Sequence, residues 1–178
     1  LNDDVRVVLI KLADRLHNCR TIEFMPEHKR DKILSETMYV FIPLAHRLGL
    51  YGIKSEMEDI WLRYKEPEAF NEITARINRD STDKDREISE FIAPIDSALK
   101  AAGFTFEIKK RVKTPYSIWN KMNTKGIAYD QIYDLYAVRI IFDPDVDSKE
   151  TERDQCYHVF SIITGLYRYK ADRVRDWV

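Results

Sequence analysis

The chain has 178 residues, 44% of them hydrophobic, with 29 Lys and Arg against 30 Asp and Glu. That size suits one domain or two small ones, and a net charge of -1 gives no general pull toward nucleic acid, so DNA is not an expected partner and any phosphate site must come from local clustering. No apolar run approaches the ~20 residues of a membrane span, and two widely separated cysteines, Cys19 and Cys156, fit a reduced, cytoplasmic protein in which both are small core residues.

Residues 3–20 carry Val5, Val8, Leu9, Leu12, Leu16 and Cys19 at spacings of three and four, which predicts an amphipathic helix. Met25-Pro26 breaks it, and a second helix is expected from Glu27, kinked or stopped at Pro43. Gly49 and Gly52 bracket a turn before a third helix over 53–64. The stretch 66–102 is long, charged and periodic, with the polar run Asn78–Asp83 as its expected interruption and Gly103 as its C-terminal cap. The texture then changes. Residues 104–109 alternate as a strand, Pro115–Lys125 read as a helix closed by Gly126, 135–142 as an apolar strand ended by Asp143-Pro144-Asp145, and 150–167 as a last helix. Leu1 already lies in a helical pattern and Trp177-Val178 closes an apolar stretch, so the chain is read as a piece of something longer. The predicted class is α+β: an all-helical N-terminal region, then part of a mixed sheet with helices.

Four constellations carry candidate chemistry. Arg111 and Lys113 share parity on an extended chain, and Thr114-Pro115 can open a helix beside them. A helix start with free N–H groups and two cations is an anion site, to which Lys121 can add a third charge; a solvated basic strand end before an ordinary capped helix is the plainer reading of the same spacing. Asp134 stands at the mouth of an apolar strand, where a carboxylate can take Mg²⁺ together with phosphate oxygens or simply close a turn. Arg139 sits inside Ala-Val-Arg-Ile-Ile, a costly place for a guanidinium unless it is paired or faces a cleft. Strict alternation would put Asp134 and Arg139 on opposite faces, so either the strand begins after Asp134 or a bulge intervenes. Asp14, Asn18 and Thr21 fall at helical spacing, weak evidence for a metal site and equally a polar stripe. Finally, Tyr167 to Trp177 interleaves cations with aromatics, a pattern that suits phosphates and bases or a mixed-charge loop.

Taken in order, these segments resemble the RelA/SpoT family, the Rel enzymes of the bacterial stringent response. Leu12 to Thr21 is similar to the last segment of the family's HD-type hydrolase domain, and Ile42 to Gly49 to its hinge. Arg111 to Met122 and Asp134 to Ile140 resemble the opening of its synthetase domain, which is nucleotidyltransferase-like. The implied boundaries are 1–45 for the end of the hydrolase domain and hinge, 46–102 for connecting helices, and 103–178 for the first part of the synthetase. The resemblance implies a GTP pyrophosphokinase that moves pyrophosphate from ATP to the 3′-hydroxyl of GDP or GTP, with Mg²⁺, to make (p)ppGpp. It also implies a Mn²⁺-dependent hydrolase that removes that group. Arg111 and Arg139 would then contact ATP, Lys113 and Lys121 its phosphates, and Asp134 the Mg²⁺; Arg111, Lys113 and Asp134 form the catalytic set. Asp14 would be the final Mn²⁺ ligand, with Asn18 and Thr21 lining that nucleotide pocket. Arg173 and Arg175 stand in a match to the family's Arg-x-Lys-Asp signature, with Arg in place of Lys. The family's remaining hydrolase ligands, the second synthetase carboxylate (a Glu) and a Gly-Tyr loop have no counterpart in these residues. The expectation is therefore an inactive piece of an active parent, whose ribosome association would run through further C-terminal domains. The rival readings are a non-catalytic nucleotide-binding regulatory module and a helical interaction scaffold.

Overall fold

The computed structural model describes residues 5–145 and 147–177, and it is α+β. The described residues form helices α1 (Val5–Arg20), α2 (Glu27–Glu36), α3 (Ile42–Arg47), α4 (Tyr51–Lys65), α5 (Pro67–Ala101), α6 (Pro115–Lys125) and α7 (Glu152–Leu166). Strands β1 (Phe106–Val112) and β2 (Tyr136–Phe142) pair in a two-stranded antiparallel sheet. The chain divides into two compact units: Leu1–Ile77 with Val112–Leu135, and Asn78–Arg111 with Tyr136–Val178.

The first unit holds two cores. Leu12, Leu16 and Cys19 of α1 bury against Ile42, Ala45 and Met57, and burial pushes the Cys19 thiol above its ordinary pKa. Ile73 meets Ile118, Tyr129 and Ile132 in the other. Between α2 and α3 the chain widens into a π turn over Thr37–Phe41, closed by the Ile42 N–H on the Thr37 carbonyl. The expected kink or stop at Pro43 is thus a local widening. Pro43 falls in the first turn of α3, where its missing donor costs little. Gly49, at φ +71, ends α3, whereas Gly52 lies within α4 rather than in the turn.

The second unit packs Ile95 and Leu99 of α5 and Val159 of α7 against one sheet face, made by Phe106, Ile108, Ile140 and Phe142. The expected interruption at 78–83 is absent. That run contains no glycine or proline, and two of its polar side chains serve the helix: Ser81 bonds the Asn78 carbonyl at 2.8 Å and Asp83 pairs with Arg86 at 3.6 Å. Polarity alone does not end a helix. Pro94 also lies inside α5, on its exposed side, where water can take the carbonyl it leaves unpaired. β1 starts at Phe106, two residues later than its alternation suggests, because Phe104 still belongs to the close of α5: its N–H donates to the Leu99 carbonyl at 3.1 Å. Cys156 is only half-buried, unlike Cys19.

Candidate functional site

The first unit gathers three of the candidate residues. Lys113 follows the end of β1, and its backbone N–H bonds the Leu135 carbonyl at 2.8 Å. That bond draws it to the segment entering β2, where Asp134 stands. Lys121 comes from α6. Its Nζ donates to Asp134 Oδ1 at 2.5 Å, while Lys113 Nζ donates to Oδ2 at 3.1 Å. One carboxylate therefore bridges two ammonium groups. The Lys121 hydrogen bond, with Lys113 behind it, holds the Asp134 carboxyl down at about 2, against a smaller opposing effect of desolvation. The cluster carries two positive charges against one negative, an arrangement suited to an anion larger than a carboxylate.

Helix α6 carries the expected cap. Thr114 Oγ1 accepts from the Ser117 N–H, Pro115 is the first helical residue, and Gly126 closes the helix at φ +61. The expected free anion site at its N-terminus needs correction. The Tyr116 N–H donates to Asp59 Oδ1 of α4 at 2.9 Å, and Ser117 is held by Thr114. Two of the first-turn donors are thus already satisfied within the protein. Burial pushes the Asp59 carboxyl up to about 6, over the opposing Tyr116 N–H and with Glu58 adding to the rise. Tyr116 is itself packed among Trp61 and Trp119, with ring centroids 6.1 and 5.7 Å away. A cavity of about 370 Å³ opens beside Asp59 and Thr114, walled by Ile60, Arg63 and Phe70. Sequence reading passed over Asp59, and the one local signal was an acidic residue beside the apolar stripe of Met57, Ile60 and Trp61.

Asp14, Asn18 and Thr21 also lie in the first unit. The Asn18 amide donates to Asp14 Oδ2 at 3.1 Å. Thr21 falls just beyond α1, where its hydroxyl donates to the His17 carbonyl at 2.9 Å. Among the described residues no group of three His, Cys, Asp or Glu side chains is placed to hold a metal.

In the second unit, Arg111 and Arg139 share the open face of the sheet. The Asp143 N–H bonds the Thr105 carbonyl at 3.2 Å, a register that sets Arg111 opposite Ala137 and Lys109 opposite Arg139. All three cations are exposed. The burial argument about Arg139 therefore dissolves: β2 begins after Asp134 without a bulge, and its residues alternate between the core and an uncovered face. Lys109, across from Arg139, is already paired with Glu107 on the same face at 3.0 Å, so the two arginines there meet one lysine and one carboxylate. Arg173 and Arg175 are exposed on the terminal stretch, where the Tyr157 hydroxyl donates to the neighbouring Asp176 carboxylate.

Comparison with known proteins matches a family model described as "HD domain" to residues 1–51, and one described as "Region found in RelA / SpoT proteins" to residues 110–178. A Myxococcus xanthus protein named GTP pyrophosphokinase is 37% identical over 175 residues, 98% of this chain and 22% of the relative. An Aquifex aeolicus protein named guanosine-3′,5′-bis(diphosphate) 3′-pyrophosphohydrolase is 36% identical over 177 residues, 99% of this chain and 24% of the relative. A Brucella ovis protein named GTP pyrophosphokinase rsh is 34% identical over 179 residues, 100% of this chain and 23% of the relative. The chain thus spans about a quarter of the length of these curated relatives.

Proposed function

The chain belongs to the RelA/SpoT family, and on that premise we propose that the whole protein is a cytoplasmic GTP pyrophosphokinase with an associated (p)ppGpp hydrolase. The 3′-oxygen of GDP or GTP attacks the β-phosphorus of ATP, the bond between the α- and β-phosphates breaks, AMP leaves, and the hydroxyl proton passes to a base. The bridging of Asp134 by Lys113 and Lys121 carries this reading for the present residues. Pyrophosphoryl transfer asks the protein for positioning and charge neutralisation rather than covalent chemistry. Two ammonium groups held on one acid are cations stored in place. An arriving polyphosphate takes the lysines as its partners and frees the Asp134 oxygens.

A freed Asp134 fits Mg²⁺ as one ligand, since that ion commonly takes one or two carboxylates and completes its shell with phosphate oxygens and water. Bound there, Mg²⁺ supplies charge neutralisation on the ATP oxygens. Arg111 and Arg139, beside the Lys109–Glu107 pair, offer two guanidinium groups for the adenine or phosphates of ATP. Arg173 and Arg175 are assigned to further anion contacts. On the hydrolase side, Asn18 and Thr21 are assigned to the nucleotide pocket. A Mn²⁺ centre does not fit the described residues, because Asp14 is a single carboxylate already bonded to Asn18. No hydrolytic step is assigned to it.

The test is binding first and turnover second. The 178-residue chain should bind ATP in a Mg²⁺-dependent way, and Asp134→Ala should abolish the Mg²⁺ dependence. Binding that ignores both Mg²⁺ and Asp134 would favour a nucleotide-binding module without catalysis. Absence of any saturable ATP binding would leave only an interaction scaffold.

A further inference from the structure

Helix α6 begins with a carboxylate already at its positive end. Asp59 reaches it from α4, 57 residues earlier in the chain, and accepts the Tyr116 N–H at 2.9 Å. Unpaired N–H groups give a helix start about half a positive charge. Lys113 stands one residue before the Thr114 cap, and Lys121 lies within α6 itself. Asp59 thus places negative charge at the end of a helix whose neighbouring cations are the ones assigned to phosphate. An asparagine would accept the same hydrogen bond without burying a charge, so the acid needs a reason.

The surroundings of Asp59 do not supply one. On α4, the neighbouring Glu58 carboxylate is buried and paired with Lys54 at 2.6 Å. Glu56 is held by Arg20, and Arg63 lines the adjoining cavity. Thr114 comes from the loop before α6 and Phe70 from α5, and α6 itself presents Tyr116. Glu58 repels a charged Asp59, and the donor that Asp59 accepts from is a neutral backbone N–H.

We infer that Asp59 is a positioning residue of the phosphate site that also restrains it: its acceptor oxygen fixes the start of α6, and thereby Lys113 and Lys121, while its charge opposes the phosphates those lysines hold. This rests on the assignment of the lysine cluster to ATP phosphate. The two roles separate by substitution. Asp59→Asn keeps the acceptor and removes the charge, so ATP binds about threefold more tightly, the scale of a partly screened charge nearby. Asp59→Ala removes the acceptor, leaves the Tyr116 N–H without a partner, and weakens binding several-fold. A residue that only capped the helix would weaken binding in Asp59→Ala and leave it unchanged in Asp59→Asn.

Equilibrium dialysis of radiolabelled ATP with Mg²⁺ against the 178-residue chain and both variants tests this between pH 5 and pH 8. The Asp59→Asn advantage should be full at pH 8 and vanish below about pH 6, where the wild-type carboxyl is protonated. Taking the ratio of the two proteins cancels the titration of ATP itself. Saturable wild-type binding with Asp59→Asn equal or weaker at pH 8 overturns this inference and leaves the proposed function standing. No saturable wild-type binding overturns both.

Discussion

Asp134 and Asp59 are acids of opposite circumstance. Asp134 is more than half exposed and doubly paired, so its folded-state pKa is depressed to about 2. Its contribution to stability is present above the ordinary carboxylate range and is lost as pH falls toward 2. Because the pair is screened by solvent, Asp134→Asn should cost under about 1 kcal/mol at pH 7 by urea denaturation, and nothing near pH 2. Asp59 runs the other way. With its folded pKa raised to about 6, its favourable state exists below the unfolded value and is lost as pH climbs through 6. Asp59→Asn should therefore be more stable than wild type at pH 7.5, by about 1–2 kcal/mol, and no more stable at pH 4. Thermal melts at the two pH values decide it; a gap independent of pH would remove the burial account. Asp134 was legible in sequence because it belongs to a strand mouth beside nearby basic residues. Asp59 was not, because its partner is 57 residues away and its one local mark, a place beside the apolar stripe of α4, does not point to a site.

Among the elements, α6 was the most legible. Its bounds are those that Thr114, Pro115 and Gly126 dictate, since caps act over one turn and need no tertiary contact. Thr114→Ala should cost about 1 kcal/mol by chemical denaturation. Gly126→Ala should cost a similar amount, because a Cβ there is strained at φ +61 although the space is open. Neither would move if the cap residues were incidental. Less legible was the join of α2 to α3. A proline in a helical pattern permits a kink, a stop or a π turn, and the choice depends on packing: buried Thr37 bonds the Ile33 carbonyl at 2.7 Å and meets Cys19 Sγ at 3.4 Å. The unbroken course of α5 was misjudged for a different reason. Asn78–Asp83 looks like a loop by polarity, yet polar residues face water from a helix as easily as from a turn.

For the whole molecule, the order of motifs was the strongest signal, since four matched segments in sequence outweigh any one of them. Catalytic completeness is a separate matter. Asp134 is a single carboxylate among the described residues at the lysine cluster, and Mg²⁺-dependent transfer commonly uses more than one protein acid. The 178 residues alone should bind ATP yet form no detectable (p)ppGpp from radiolabelled ATP and GDP. Robust product would show that the acid and base functions are met by residues assigned no such role above. The packing of Trp61 on Trp119, with centroids 6.0 Å apart, gives the molecule an optical signature of its own. Indoles that close couple their strong far-ultraviolet transitions and leave a paired band in far-ultraviolet circular dichroism. That band belongs to the junction of α4 with α6, so any effector that pries the two helices apart will erase it, with no label attached and no catalysis required.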